Sequence, residues 1–153
     1  MAGTPEAQLR SLMGKFGPEE QKLIRAVRSA VRKRLPAANE LLYDYKTFFV
    51  ITYSATDRPT DGVASIAARP DGVRLYLMQA PQLPDPKKLL IGSGKQARYI
   101  RLESARQLAH PDVEALIAAA IDKAGAPLPP KGRGGLVTRT FAGKRLTSRK
   151  GAR

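Results

Sequence analysis

The apolar residues of this chain change their spacing after residue 36, from the period of a helix to that of a strand. Between Pro18 and Arg34 they recur at steps of one and three along one stripe, which predicts an amphipathic helix. Residues 48–53 and 73–78 are aromatic, β-branched or alternating, which predicts strands. A run of strands flanked by helices predicts an α+β fold, with an antiparallel sheet and helices packed on one face.

Turn and cap residues set the remaining boundaries. Pro70-Asp71-Gly72 is a tight-turn signal between two predicted strands, 63–68 and 73–78. The sequence also predicts two further strands, 41–45 and 97–102, and a short helix near Pro86. Two more helices are predicted to begin at Thr4-Pro5-Glu6 and at His110-Pro111-Asp112. The sequence therefore predicts a short helical extension (1–17), an α+β domain (18–125) and a basic, Pro- and Gly-containing disordered tail (126–153).

More than half of the net charge of +14 lies in the last 23 residues, which hold eight basic residues and no acid. Such a block is typical of a solvated tail that contacts polyanions. It suits nonspecific binding of nucleic acid through phosphates, and it equally suits a solubilising extension. The candidate polyanion-binding residues are Lys131, Arg133, Arg139, Lys144, Arg145, Arg149 and Lys150.

Composition argues against several functional classes. The chain has no cysteine and one histidine, which excludes thiolate chemistry and leaves a single imidazole as a general base. We find no nucleophile elbow around its serines, and the sequence predicts that the protein is not an enzyme. The N-terminus lacks the pattern of a signal peptide, and the longest apolar run, 115–121, is far shorter than a membrane span. These features predict a cytoplasmic protein with no membrane partner.

The segment LPDPKKLLIGSGKQARYIRLES, followed by HPDVEALIAAAI, resembles the second half of the YdhG-like domain, a large and mostly uncharacterised bacterial family. The resemblance covers roughly residues 18–124. One departure is clear, because the Trp-Gly-x-Pro-like segment of many members is replaced here by 41–46 and the chain has no Trp. The positions that match the family pattern are Pro84, Asp85, Pro86, Gly92, Gly94, Lys95, Arg98 and Ile100.

The resemblance implies a frataxin-like fold, and for some members it implies an iron chaperone that feeds iron–sulfur or haem assembly. On that ground alone, Glu40 and Asp44 are weak candidates for an iron site. The charge of the domain opposes this role, since hard cations are held by clustered carboxylates and this chain has few acids.

The loop Gly92-Ser93-Gly94-Lys95 invites comparison with a phosphate-binding loop. It fails the P-loop pattern, because Leu89 and Gln96 stand where Gly and Ser or Thr are required. A tight connection whose glycines permit positive φ is the favoured interpretation. A weaker anion site built from Lys95, Arg98 and Arg101 stays open, although alternation along a strand places the two arginines on opposite faces.

His110, Asp112 and Glu114 permit a metal-site interpretation, but acids at the start of a helix are explained by its dipole. The sequence thus predicts a non-enzymatic YdhG-like accessory or binding domain of unassigned role. Two alternatives are a frataxin-like iron chaperone and a nonspecific nucleic-acid-associated protein that uses the basic tail. Neither a ligand nor a partner follows from the residues alone.

Overall fold

A computed structural model describes residues 4–124, 128 and 134–139. Within them the chain forms three α-helices and six strands, with short 3₁₀ turns at 59–61, 80–82 and 105–109. The helices are α1 (Pro5–Met13), α2 (Pro18–Arg34) and α3 (Pro111–Asp122). The strands are β1 (Asn39–Asp44), β2 (Phe49–Ser54), β3 (Gly62–Arg69), β4 (Gly72–Met78), β5 (Ala97–Leu102) and β6 (Leu136–Arg139).

All six strands form one sheet in the order β5-β4-β3-β2-β1-β6. Strands β1 to β5 form an antiparallel meander, and β6 adds to the edge of β1 in the parallel direction. The predicted α+β class is confirmed. The prediction of a purely antiparallel sheet is wrong at this edge, because residues 136–139 run in the same direction as the β1 residues with which they pair.

Local chemistry explains where the helices begin. The Thr4 hydroxyl accepts a hydrogen bond from the Ala7 amide at 3.1 Å, and Pro5 occupies the first helical position. In α3 the Nδ1 atom of His110 accepts from the Asp112 amide at 3.2 Å. The only histidine of the chain is therefore a helix cap in this structure.

The hydrophobic core lies between the sheet and the three helices, which cover the same face. Across the sheet, Leu42, Ile51, Ile66, Leu75 and Ile100 lie in one register row and are buried. The apolar stripe of α2 packs on this row, together with residues of α1 and α3. Burial of this kind is the main stabilising contribution to such a domain. It also leaves the opposite face of the sheet without a helix among the described residues.

Two predictions about local structure are wrong. The predicted helix near Pro86 is a turn, because the Asp85 carboxylate accepts hydrogen bonds from the amides of Leu89 and Leu90 at 2.8 and 2.9 Å. A left-handed residue, Lys88 at φ 53°, also prevents a helix there.

The second error lies in the predicted disordered tail, 126–153, in which residues 136–139 form β6. The Gly134 amide donates to the Pro36 carbonyl and the Gly135 amide donates to Asn39 Oδ1, which anchors this strand beside β1. Arg139 lies in β6. The other candidate tail cations, Lys131, Arg133, Lys144, Arg145, Arg149 and Lys150, lie outside the described residues.

In the part of the chain that the structure describes, no helix combines the length and the apolar character that crossing a membrane requires.

Candidate functional site

The face of the sheet opposite the three helices holds a shallow groove of about 370 Å³. Thr52, Ser65, Tyr76 and Tyr99 lie in one register row across β2 to β5, and their neighbours along each strand point to the helices instead. Small side chains in the middle strands form the floor, and aromatic side chains rise on either side. The groove is thus a product of residue size along the strands.

Two hydroxyl groups lie in the floor of the groove. Thr52 Oγ1 and Ser65 Oγ are 2.9 Å apart and hydrogen-bonded, with 7% and 9% of these residues exposed. One hydroxyl donates and the other accepts, so the accepting hydroxyl keeps a proton of its own. Because no described residue takes that proton, the floor offers a hydrogen-bond donor to a ligand.

The first wall of the groove is built around Phe48, which immediately precedes β2. Its ring stacks on that of Tyr45, with centroids 4.7 Å apart and an interplanar angle of 2°. The guanidinium carbon of Arg69 lies 4.5 Å from the centroid of the Phe48 ring. This distance is within the range of a cation–π interaction, which holds the arginine in place without neutralising it.

The second wall of the groove is formed by Tyr76, Met78 and Ala97, and a second arginine–aromatic contact lies beside it on β4 and β5. The Arg74 guanidinium lies 4.4 Å from the ring centroid of Tyr99, and the rings of Tyr99 and Tyr76 are 5.1 Å apart. Arg74 also donates to the Tyr76 hydroxyl at 3.2 Å. An arginine in cation–π contact with an aromatic ring therefore lies at each side of the groove.

Positive charge on this face exceeds the acids available to it. Asp71 is shared, lying 3.5 Å from Arg69 Nε and 3.3 Å from Arg74 Nη2. Arg101, which is exposed, lies directly opposite Arg74 in the pairing of β4 with β5. Like charges at such opposed positions destabilise a sheet. We call this surface the arginine–aromatic face and define it by Phe48, Arg69, Arg74, Tyr76, Tyr99 and Arg101.

Arg69 has hydrogen-bonding capacity that the described residues do not fill. Its guanidinium makes no hydrogen bond with them, and its Nε is buried. A guanidinium has five N–H donors, and a carboxylate or phosphate is the acceptor that best matches them. The unfilled donors of Arg69 thus favour an anionic ligand at the first wall.

The structure does not bring the three predicted anion-site residues together. Arg98 faces the helix side of the sheet, where it donates to the Gly94 carbonyl at 3.1 Å, while Arg101 lies on the arginine–aromatic face. Lys95 is exposed in the connecting loop. Local backbone geometry explains why both loop positions are glycine. Gly92 has φ +107°, and a Cβ at Gly94 would lie 2.5 Å from the Ala97 carbonyl oxygen.

Glu40, one of the weak iron candidates, is already bound on the helix side of the sheet. Its carboxylate accepts two hydrogen bonds from Arg28, both at 2.9 Å, and one from the Tyr53 hydroxyl at 2.6 Å. Burial opposes its charge, but these hydrogen bonds outweigh burial and lower the pKa of Glu40 below its usual value. Asp44 is exposed at the other end of β1 and accepts from the Lys46 amide, so the two acids do not meet.

Sequence reasoning missed most of the arginine–aromatic face. A signal was present, because Arg74-x-Tyr76 and Tyr99-x-Arg101 each place an arginine and a tyrosine on the same side of a strand. Of these residues, only Arg101 belongs to the predicted anion site. These two segments are neighbours only because of the pairing register of β4 with β5, which could not be predicted from the sequence.

Neither a scan against protein-family models nor searches of curated proteins and of solved structures finds a match to this chain. The YdhG-like resemblance and the frataxin-like fold stay predictions.

Proposed function

We propose that the protein is a non-enzymatic binding domain that takes single-stranded nucleic acid, RNA or DNA, on its arginine–aromatic face. The observation that carries this proposal is the pair of arginines stacked on aromatic rings, Arg69 on Phe48 and Arg74 on Tyr99, on a sheet face without a helix among the described residues. Proteins that bind single strands combine cations for phosphates with flat groups on which bases stack.

Each stacked arginine offers both kinds of contact. The outer side of its guanidinium plane is a surface for a base, and its N–H groups match phosphate oxygens. The Thr52–Ser65 hydroxyl pair lies between the two walls and offers a donor to a base edge or a phosphate. The net charge of +14 favours any polyanion electrostatically, and the site adds the stacking surface.

The shape of the face favours a single strand over a duplex. Bases stack on a protein surface only where they are not already stacked within a helix. Strands β2 and β5 lie three strand spacings apart, about 14 Å, so the two walls suit a strand of several nucleotides. The family resemblance supports the alternative of an iron chaperone. The ion pair between Glu40 and Arg28 opposes it, because this carboxylate is already occupied.

Fluorescence anisotropy with labelled single-stranded RNA, single-stranded DNA and duplex DNA tests the proposal. We expect Arg69→Gln/Arg74→Gln to weaken binding of a single strand by about tenfold or more, the equivalent of one stacked base. The matched control is Lys22→Gln/Arg25→Gln, which removes the same charge from the exposed side of α2. It should lower affinity by less than about threefold, since only the general field changes.

An equal loss of affinity in the two double variants would contradict the proposal, because binding would then depend on net charge alone. Tighter binding of duplex than of single strands would also contradict it. Circular dichroism and thermal unfolding of both variants establish that the fold is retained. A second copy of the chain could also occupy this open sheet face, and size-exclusion chromatography of the free protein tests for such a dimer. A dimer that dissociates in Arg69→Gln/Arg74→Gln would also contradict the proposal.

A further inference from the structure

A cavity of about 560 Å³ lies on the helix side of the sheet, along α2. The α2 part of its lining comes from positions 25, 28, 29, 32 and 33, which form one stripe because steps of three and four return to the same side of a helix. Met13, the last residue of α1, and Pro36, which follows α2, complete the lining. A cavity of this volume has the size of a small-molecule site.

Four of the five stripe residues are cations, and the acids near them neutralise only part of this charge. Arg28 is fully engaged, because it donates to both carboxylate oxygens of Glu40 at 2.9 Å and to Glu6 at 3.1 Å. Arg32 Nε lies 3.7 Å from Glu40 Oε1, which is too far for a hydrogen bond. Among the described residues, these two acids are the only ones within 4 Å of the stripe cations. The stripe therefore keeps an excess of positive charge.

Three neighbouring side chains of the stripe, Ser29, Arg32 and Lys33, have donors that the described residues leave unused. None of the three makes a side-chain hydrogen bond with those residues. Arg25 differs, because it donates to the Gln21 side chain at 3.1 Å, one turn earlier in the helix. A guanidinium, an ammonium and a hydroxyl can all donate at once to the oxygens of one anion.

The position of these donors favours an anion with more than one negative charge. Arg32 and Lys33 lie in the last turn of α2, where the helix dipole places about half a negative charge. The backbone there repels an anion, so the side-chain cations must supply the attraction. A phosphate monoester carries about 1.5 to 2 negative charges at pH 7, whereas a carboxylate carries one, and the phosphate gains more from two adjacent cations.

We propose that this cavity binds a small phosphorylated molecule. Its phosphate accepts hydrogen bonds from Ser29, Arg32 and Lys33, and the rest of the molecule lies against Met13 and Pro36. A phosphate group alone is much smaller than the cavity, and these two apolar side chains provide a surface for what is attached to it. The inference goes beyond the proposed function and does not rest on it, because the sheet separates this cavity from the arginine–aromatic face.

Isothermal titration calorimetry of the full chain at low salt tests the inference with inorganic phosphate, phenyl phosphate and benzoate. Benzoate keeps an aromatic ring and carries a single charge. We expect phenyl phosphate to bind about tenfold more tightly than benzoate, because it makes further charge-assisted hydrogen bonds. It should also bind about threefold more tightly than inorganic phosphate, because its ring buries apolar surface on Met13 and Pro36.

Arg32→Gln/Lys33→Gln should weaken binding of phenyl phosphate about tenfold or more. The matched control is Lys22→Gln/Lys123→Gln, which removes the same charge from exposed positions outside the cavity lining. It should weaken binding by less than about threefold, since only the general field changes. Thermal unfolding of both variants establishes that the fold is retained.

Three results in these titrations would overturn the inference. The first is a heat signal that does not saturate at about 10 mM phenyl phosphate. The second is benzoate that binds as tightly as phenyl phosphate, which would show a site for aromatic anions in general. The third is an equal loss in the two double variants, which would show that binding depends on net charge alone.

Backbone amide NMR locates the bound probe. We expect phenyl phosphate to shift the amides of Met13, Ser29, Arg32 and Lys33. Shifts confined to the arginine–aromatic face would place the phosphate there and contradict the inference. A larger loss of single-strand affinity in Arg32→Gln/Lys33→Gln than in its control would also contradict it, because the cavity would then belong to the nucleic-acid site. The proposed function is tested separately, by labelled strands and the variant of the arginine–aromatic face, so either proposal can fail alone.

Discussion

Arg74 on β4 and Arg101 on β5 lie directly opposite each other in the sheet, so two guanidinium groups occupy opposed positions on one face. The arrangement conflicts with the usual preference for opposite charges at such positions. Asp71 and the tyrosine rings offset part of the repulsion around Arg74. Conflicts of this kind in an otherwise consistent sheet are expected where a surface is shaped for binding.

Arg101→Glu is expected to stabilise the free protein and weaken its binding to a single strand. An opposite-charge pair in place of the like-charge pair should raise the free energy of unfolding by about 0.5 kcal/mol. Loss of a cation and gain of an acid on the face should lower affinity about tenfold. Urea denaturation and anisotropy measure the two effects. Lys95→Glu, the same charge change in an exposed loop, should leave stability unchanged, and equal behaviour of the two variants would contradict the prediction.

Glu40→Gln is expected to destabilise the fold strongly. Replacement of the carboxylate leaves Arg28, a partly buried cation, with only Glu6 as its charged partner among the described residues, and breaking a buried pair costs about 3 kcal/mol. Chemical denaturation at neutral pH measures this loss. Glu103→Gln changes an exposed acid and should cost less than about 0.5 kcal/mol. A similar cost for both variants would mean that the ion pair contributes nothing specific.

The pH dependence of stability follows from the lowered pKa of Glu40. A carboxylate whose folded pKa is depressed stabilises the fold fully above its unfolded value, near 4.5, and loses this contribution as the pH falls through the folded value. The difference in unfolding free energy between the unmodified chain and Glu40→Gln should therefore narrow below pH 4.5 and stay constant from there to neutral pH. A difference that widens in acid would contradict this sign. Urea denaturation between pH 3 and pH 7 provides the measurement.

Tyr53→Phe removes the hydroxyl that donates to Glu40 at 2.6 Å. A hydrogen bond to a charged group in a buried position contributes about 2 kcal/mol, and the variant should lose about that much stability. The same substitution in the Glu40→Gln background should cost clearly less, because the charged acceptor is gone. Equal costs in the two backgrounds would show that the Tyr53 hydroxyl acts independently of Glu40. Denaturation midpoints of the four proteins complete the cycle.

Gly94→Ala is expected to destabilise the loop before β5, since the added Cβ would lie 2.5 Å from the Ala97 carbonyl oxygen. The atom it meets belongs to the backbone and cannot swing away, so we expect a loss of about 1–2 kcal/mol. Gly135→Ala is the control, because a Cβ there meets nothing within 4 Å. Thermal unfolding compares the two variants, and an equal effect would contradict the steric explanation.

Helices and the meander were predictable because each depends on residues near in sequence. Local sequence determines the helix caps at Thr4 and His110 and the turn at Pro70-Asp71-Gly72. The helix predicted near Pro86 failed for a local reason too, since the Asp85 carboxylate takes the amides that a helix would have used.

The arginine–aromatic face was much less predictable. Arg69, Arg74 and Phe48 come from three different strands or their ends, and only the register brings them to one face of the sheet. A cation on a strand is more often solvated than stacked on a ring, so neither arginine stands out in the sequence. Strand β6 was missed because four residues within a Gly- and Arg-rich segment carry too little hydrophobic pattern to signal a strand.

The parallel pairing of β6 with β1 also affects the order in which the sheet forms during folding. Asn39 and Gly135, which are hydrogen-bonded where β6 begins, are 96 residues apart in the sequence. Strands β1 to β5 pair with their sequence neighbours, whereas β6 closes a far longer loop, and contacts of that separation form late in folding. During synthesis the outer edge of β1 therefore stays unpaired until residue 139 has left the ribosome. An open edge of this kind templates association with other chains. Pairing of β6 with β1 thus ends the interval in which this edge makes a newly made molecule prone to aggregate.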